Sequence, residues 1–497
     1  TILNIIANLL LAKKSVLVVS NNNSAVDNVA EKLEKEGLGF LVAKLGSVEN
    51  KEFFIANQQN YPLMDNWKFE EVNSIKQQVT QALKDVSLCF DGQSKYALLK
   101  SELDALLKET KYDIMHNEVS DNHKWLFNKP SKKLMSVRLQ YGILMENSKK
   151  VSHFQMLKWS FALGFKIYKL LKSEPQTVIK AFESAYYVAR KRELENELLS
   201  IENSLKTIDI SQRVTDLRQL SLKVLKNSVA KRFTGERKRF TLTSIKPQTE
   251  AFLKEYPVVL STTYSAKACI SKDMVFDYLI MDEASQVDIK TGALALSCAM
   301  NAVIVGDDKQ LPNVVSQEEE IALNAIQSTY HVDEKYQATT NSFLQSCVKV
   351  LKDAPVTLLR EHYRCHPRII DFCNQRFYNG ELIAMTSDNN EGKVLQVIKT
   401  VPGNHARGHF NQREIDVIIQ EVMPEYSTSD SVGIITPYRD QAIAINQALG
   451  KDVASTVHKF QGRECDAIIM SMVDNIPTDF SDDPNLMNVA ISRAKTK

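Results

Sequence analysis

Two adjacent carboxylates, Asp282 and Glu283, close the apolar run Phe276-Asp277-Tyr278-Leu279-Ile280-Met281. Such a run reads as a buried parallel strand, and α/β sheets place their ligand chemistry at the C-terminal ends of strands. There, one carboxylate can hold a Mg²⁺ ion against the phosphates of a nucleotide while its neighbour takes a proton from an attacking water. A second apolar strand, Ala302-Val303-Ile304-Val305, follows and ends in Gly306-Asp307-Asp308-Lys309-Gln310-Leu311-Pro312. A solvated strand end explains one acidic pair equally well. Two polar strand ends in succession point instead to one site built from neighbouring strands.

The elements that must position these residues are legible as alternating strands and helices. Thr1–Leu11 has helical apolar spacing, Ser15–Ser20 (SVLVVS) reads as a strand, and a helix runs from about Ser24 to Glu36. Pro257–Thr263 is a further strand of the same sheet. Residues 1–54 and 246–350 therefore form one sheet domain, interrupted by an insertion over 55–245. The insertion is rich in helical runs. Leu194, Leu198, Ile201, Leu205 and Ile208 follow a heptad, which suits an antiparallel coiled-coil arm, with a helical bundle as the alternative. Residues 351–497 repeat the α/β logic, with expected strands at Val356–Leu359, Ser431–Tyr438 and Ala467–Val473 and a helix over Leu486–Lys497. The N-terminal helix has no strand before it and the C-terminal one no strand after it, so the chain reads as cut at both ends.

A chain of 497 residues exceeds one hydrophobic core and implies several domains. Its net charge of +2 excludes a uniformly basic nucleic-acid binder, and any such surface must be local. One candidate is the run Lys223, Lys226, Lys231, Arg232, Arg237, Lys238, Arg239 with Phe233 and Phe240 interleaved, either a phosphate-binding flank or a solvated charged face. The seven cysteines are scattered, with no Cys-x-x-Cys pair, which argues against zinc and disulfides and fits a reducing, cytoplasmic setting. Lys158, Lys166 and Lys169 interrupt the apolar stretch Phe154–Leu171, so it reads as a core helix and not a membrane span.

Taken in order, the polar segments form a recognisable set: Ser20–Asn28, Leu260–Thr263, Asp282–Gln286, Gly306–Pro312, His362-Tyr363-Arg364-Cys365-His366-Pro367, Thr436-Pro437-Tyr438, Thr456–Glu464 and Asn488–Lys495. The set resembles the superfamily 1 helicases of the Upf-like group, AAA-type P-loop NTPases, over residues 1–50 and 255–497. The resemblance implies two RecA-like parallel-sheet domains with ATP and Mg²⁺ in their cleft and a single strand of DNA or RNA across their tops. It implies that Asp282 ligates Mg²⁺, that Glu283 is the general base, and that Gln310, Arg364 and Arg493 address the γ-phosphate. Tyr438, Gly462 and Glu464 would border the adenosine, and Asn23, Ser24, Thr262, Thr263 and Lys459 would contact the strand. Ser24 also suits a helix cap and Thr262 a turn. His362 and His366 read as packing and capping residues and not as metal ligands.

The chain departs from the family in lacking Gly-x-x-x-x-Gly-Lys-Ser/Thr, so as written it is expected to bind ATP poorly and hydrolyse almost none, while the parent protein works. The helical insertion stands where relatives often carry a small barrel. The leading expectation is an ATP-driven motor on single strands; the alternative is an ATP-gated clamp, with a protein partner docked on the helical insertion.

Overall fold

A computed structural model describes residues 1–21, 23–116, 121–148, 150–206, 208–388, 392–426, 431–460 and 463–497. The chain divides into two compact units, 1–79 with 218–497, and 80–217.

In the larger unit, five parallel strands form one sheet: β1 (Val16–Ser20), β2 (Val42–Lys44), β3 (Val258–Thr262), β4 (Phe276–Met281) and β5 (Ala299–Ile304), in the order β2-β3-β1-β4-β5. All five residues of β1 are buried, because helices cover both faces of the sheet. The two-residue strand period divides them between two cores. Leu17 and Val19 join Leu279, Met281 and Phe252 on one side. Val16 and Val18 join Ile6, Leu260, Ile280 and Leu225 on the other. Each such side chain contributes about 1.5–3 kcal/mol by leaving water. β5 is the exposed edge, with Met300 75% accessible.

The same unit contains a second parallel array. Short pairs form between β6 (Glu361–His362) and β7 (Ile383–Ala384), parallel, and between β8 (Ala406–Arg407) and β9 (Phe410–Asn411), antiparallel. The main sheet is β10 (Val432–Thr436), β11 (Ala454–Thr456) and β12 (Ala467–Met470), ordered β11-β10-β12. The architecture is thus α/β with two parallel-sheet blocks and a helical insertion in the first.

Three expectations are corrected here. Val356–Leu359 is not a strand; Val356, Leu358 and Leu359 are exposed and pairing begins only at Glu361. The last helix spans Pro484–Ile491 and does not run on to Lys497. Residues 494–497 instead pair alongside 465–468, with Lys495 N–H donating to the Cys465 carbonyl and Ile468 N–H to that of Lys497, each at 2.9 Å. Phe154–Leu171 is not one core helix either. It breaks at Gly164, whose φ is +104°, into His153–Leu163 and Ile167–Leu170.

Within the basic run, Lys223, Lys231, Lys238 and Arg239 are exposed, whereas Arg237 and the two interleaved phenylalanines are internal. Arg237 is buried, with its guanidinium 4.1 Å from the Tyr256 ring and donating to the carbonyls of Phe40 (2.5 Å) and Gln59 (3.0 Å). Phe233 and Phe240 are core residues of the two faces. The outer parts of the 55–245 stretch therefore belong to the first sheet's packing.

Every regular element among the described residues of the smaller unit is a helix. Residues from Thr80 onward in the helix Val72–His116 lie antiparallel to Pro175–Lys206. Leu99 and Leu106 pack on Leu194 and Leu198, and Arg190 forms a bidentate pair with Glu102 at 2.8 and 2.9 Å. Ser131–Glu146, His153–Leu163 and Ile167–Leu170 close a bundle against Pro175–Lys206 around Trp159, Tyr141 and Phe182. No helix among the described residues is long and apolar enough to cross a membrane.

Candidate active site and nucleic-acid groove

β4 delivers Asp282 and Glu283 to the end of the first sheet. Asp282 N–H still donates to the Val19 carbonyl at 2.9 Å, so the carboxylate leaves directly from the ladder. Its Oδ1 accepts the Glu283 N–H at 3.0 Å. Glu283 sits at φ +54°, a left-handed conformation that costs a non-glycine residue about 1–3 kcal/mol. Backbone bonds to the next strand impose it: Ala284 N–H donates to the Val305 carbonyl at 2.9 Å and Val305 N–H to that of Met281 at 2.8 Å. Gly306 makes the crossing fit, since a Cβ there would meet the Ala284 and Ser285 nitrogens at 3.1 Å.

Burial pushes the Asp282 pKa up, against the Glu283 N–H and Lys32, which pull it down. Burial also raises that of Glu283, with Asp282 adding to the rise; Arg493 and the Gln286 amide oppose it. For this pair Lys32 and Arg493 offset burial only in part, and Mg²⁺ is commonly held by one or two such carboxylates together with phosphate oxygens. Asp282 and its neighbourhood therefore fit that ion.

The second block supplies the facing cations. Arg493 follows the helix Pro484–Ile491 and is nearly buried. Its Nε donates to the Val489 carbonyl at 3.2 Å and its Nη2 to Gln310 Oε1 at 3.4 Å. Burial lowers its pKa, with Arg364 adding to the fall; Glu283 and Glu464 work in the other direction. Arg364 and Glu464 are paired at 2.8 Å, and Lys495 lies 3.8 Å from Glu464. His362 Nε2 accepts the Cys365 N–H at 3.0 Å, and burial holds its pKa down to about 4, so it is neutral. His366 caps the next helix by accepting the Arg368 N–H at 3.2 Å.

Three residues of this cluster escaped the sequence reading. Tyr378 donates to Asp307 Oδ2 at 2.6 Å and accepts from Asn488 Nδ2 at 2.8 Å. Asp307 also accepts from Gln310 Nε2 at 3.0 Å, and Asn488 donates to the Lys309 carbonyl at 2.8 Å. Tyr378, Asp307 and Asn488 thus tie the loop that bears Gln310 to the helix that precedes Arg493. Only Asp307 and Asn488 fell inside recognised motifs; Tyr378 carried no signal.

Tyr438 lies at the end of β10, with its hydroxyl on Asp474 at 2.8 Å and its ring stacked on His409 at 4.4 Å. Gly462 lies outside the described residues. So do the side chains of Asn23 and Ser24, which open the helix Asn23–Lys35. Thr262 Oγ1 accepts the Ser265 N–H at 3.2 Å and closes a turn. Thr263 is buried and its hydroxyl donates to Asn21, whose amide donates to the Gln286 carbonyl at 2.8 Å. Tyr264, next in the chain, is 78% exposed. A groove of about 610 Å³ is lined by Asn21, Gln286, Asp288, Pro312, Asn313 and His458; Lys459, beside His458, is exposed.

Residues 1–318 and 339–497 each match the family model of an AAA domain. The chain belongs to this AAA-domain family, among its Upf-like helicases. It is 29% identical over 268 residues to the mouse 5'-3' DNA helicase ZGRF1, covering 49% of this chain and 14% of that protein. It is 28% identical over 283 residues to Helicase sen1 of Schizosaccharomyces pombe, covering 50% of this chain and 16% of that protein. It is 26% identical over 276 residues to an uncharacterized ATP-dependent helicase of Methanocaldococcus jannaschii, covering 49% of this chain and 38% of that protein. The chain thus spans well under half of these relatives' lengths. Among solved structures, the PRRSV helicase matches with a TM-score of 0.27 and 17% identity over 49% of this chain and 37% of that one, a likeness too slight to bear on the fold.

Proposed function

We propose that the protein carrying this chain is an ATP-dependent helicase that couples ATP hydrolysis to movement along single-stranded DNA or RNA, unwinding 5′ to 3′. The observation that carries this reading is the contact of Arg493, from the second block, with Gln310 of the first, close enough to Glu283 to bias its charge. Asp282 would hold the metal. Mg²⁺ bound there supplies charge neutralisation at the β- and γ-phosphates. Glu283 would take a proton from the water that attacks the γ-phosphorus, as the bond from that phosphorus to the ADP oxygen breaks. A raised carboxylate pKa suits this work, because an efficient base has a pKa nearer the operating pH.

Gln310 would orient the water, and Arg493 would meet the charge on the transferring group. Arg364, held on Glu464 by a partly exposed ion pair, would join it by releasing that partner. An arginine delivered in this way is worth about 10³–10⁵ in rate. Because it stands on the other block, hydrolysis would require the cleft to close. Tyr438 would stack on the adenine after giving up His409, and Gly462 would lie beside it. The strand would follow the groove at Asn21 and Gln286, with Thr262, Lys459 and the Asn23–Ser24 helix start on its backbone, contacts that carry no sequence information and permit stepping. Free, largely buried cysteines suit a reducing compartment such as the cytoplasm.

The test is ATP turnover by the protein, with and without single-stranded DNA or RNA. Strand-stimulated turnover that collapses in Glu283→Gln supports a motor. Strand affinity that shifts with nucleotide while turnover stays at background would replace it with a clamp.

A further inference from the structure

The smaller unit carries a charge anomaly unrelated to the ATP site. Between His123 and Lys172 there are ten lysines and one arginine against a single acidic residue, Glu146. The whole chain is only +2, so the rest of the molecule is net negative. Lys132, Lys133, Lys158, Lys166, Lys169 and Lys172 are all exposed. Among the described residues, the unit's ion pairs, Arg138–Glu183, Arg190–Glu102, Arg190–Glu193, Lys191–Glu195, Lys206–Glu202 and Arg213–Asp85, engage none of them.

Aromatic rings stand among these lysines. The helix His153–Leu163 turns Trp159, Ser160 and Leu163 into the bundle core and leaves Phe154 and Phe161 outside, 78% and 76% exposed. Phe165, just beyond the break at Gly164, is 68% exposed, with its ring centroid 6.1 Å from that of Phe161. Phe154 and Phe161 are seven residues apart, two helical turns, and so share a face, with Lys158 between them. Three exposed phenylalanines on so short a stretch are costly to leave in water unless a partner covers them.

We propose that this face binds single-stranded nucleic acid, at a site separate from the groove beside the ATP cleft. The lysines match a phosphate backbone, and Phe161 and Phe165 offer open ring faces on which unpaired bases stack; this pairing of a cationic track with aromatic platforms is how non-sequence-specific strands are held. An anionic membrane is disfavoured by the charge layout. Lys158 sits inside the aromatic stripe and Lys166 adjoins it, whereas an interfacial helix needs a continuous apolar face to enter the acyl region. The proposal does not depend on ATP hydrolysis and stands or falls separately from it.

The test uses the full chain with a bromodeoxyuridine-substituted oligonucleotide, photocrosslinked and mapped by mass spectrometry, together with fluorescence anisotropy over a range of salt. Adducts are expected on the peptides holding Phe161 and Phe165, and Phe161→Ala/Phe165→Ala should remove these while leaving adducts near Thr262. That variant should lose about 5- to 150-fold in affinity at this site for each base that stacks there. Lys158→Gln/Lys166→Gln, which keeps the rings, should flatten the logarithmic salt slope by about 1.4, from about 0.7 per phosphate contact on a single strand. Adducts confined to the ATP-bearing unit with an unchanged slope would overturn the proposal. Displacement by polyglutamate of matched charge as effective as by oligonucleotide would assign the face to an acidic protein. Loss of binding to phosphatidylserine vesicles in the same variants, with strand binding intact, would assign it to a membrane.

Discussion

Removing one oxygen, by Tyr378→Phe, isolates the connection between the two blocks. The hydroxyl gives Asp307 a 2.6 Å hydrogen bond and takes a 2.8 Å one from Asn488. A bond to a charged acceptor is worth about 1.5–3 kcal/mol and a neutral one about 0.5–1.5 kcal/mol. Neither partner is stranded by the change. Asp307 keeps the Gln310 amide at 3.0 Å and the Lys309 N–H at 2.9 Å, and Asn488 keeps the Lys309 carbonyl at 2.8 Å. The loss therefore falls toward the lower ends of both ranges, about 2 kcal/mol in all. Charged to the closed arrangement, that amount lowers its population about thirtyfold. Steady-state kinetics should show strand-stimulated kcat down about 10- to 30-fold with KM for ATP little changed. Asp307→Asn should not add fully to it in a double-mutant cycle. A melting temperature that falls while kcat stays within about twofold of wild type would refute the coupling and leave Tyr378 a packing residue.

Three other outcomes follow from named contacts. Glu283→Gln should abolish turnover yet raise stability at pH 7, a gain read by thermal denaturation. Its sign follows from linkage. The folded pKa lies above the ordinary 4.5, so the native state loses stability as pH rises from 4.5 through the folded value, and the amide escapes that loss; the gain should vanish below pH 4.5. Arg237→Ala should cost about 3–5 kcal/mol in denaturant unfolding, since it takes a buried charge from beside Glu255 and leaves the buried Phe40 carbonyl without that donor; strand affinity at low denaturant should be unchanged, and a selective affinity loss would place Arg237 itself in a phosphate-binding role. Tyr264→Ala should weaken single-strand binding by about 1–3 kcal/mol in anisotropy titrations if its exposed ring stacks a base, and equal affinity would remove it from the interface.

The sheet was legible where burial is two-sided. The runs at Ser15–Ser20, Pro257–Thr263 and Phe276–Met281 lie within a residue of β1, β3 and β4, because a strand covered on both faces is apolar throughout and stops at its first polar residue. Strand order was not legible, since apolarity reports that a segment is covered and not by what. Val356–Leu359 misled for the same reason: its apolar composition is real, yet nothing covers it. The reverse error came at Phe154–Leu171, where the composition of a core helix disguised an exposed aromatic stripe split at Gly164. In the candidate site, the strand-end carboxylates announced themselves by position. Tyr378 could not, because its importance lies in partners 71 and 110 residues away.

The charges around the cleft are mismatched in a way that suits the proposed nucleotide and metal. On one block, burial raises Asp282 and Glu283 and the latter is held at an unfavourable φ. On the other, burial and Arg364 both weigh against the charge of Arg493. Direct neutralisation across the gap is poor: the guanidinium reaches Gln310 at 3.4 Å, and its effect on Glu283 is secondary to burial. Tighter contacts between these groups would leave less for a ligand to gain. Phosphate oxygens with a divalent cation between the two sets would satisfy the arginine and the carboxylates together.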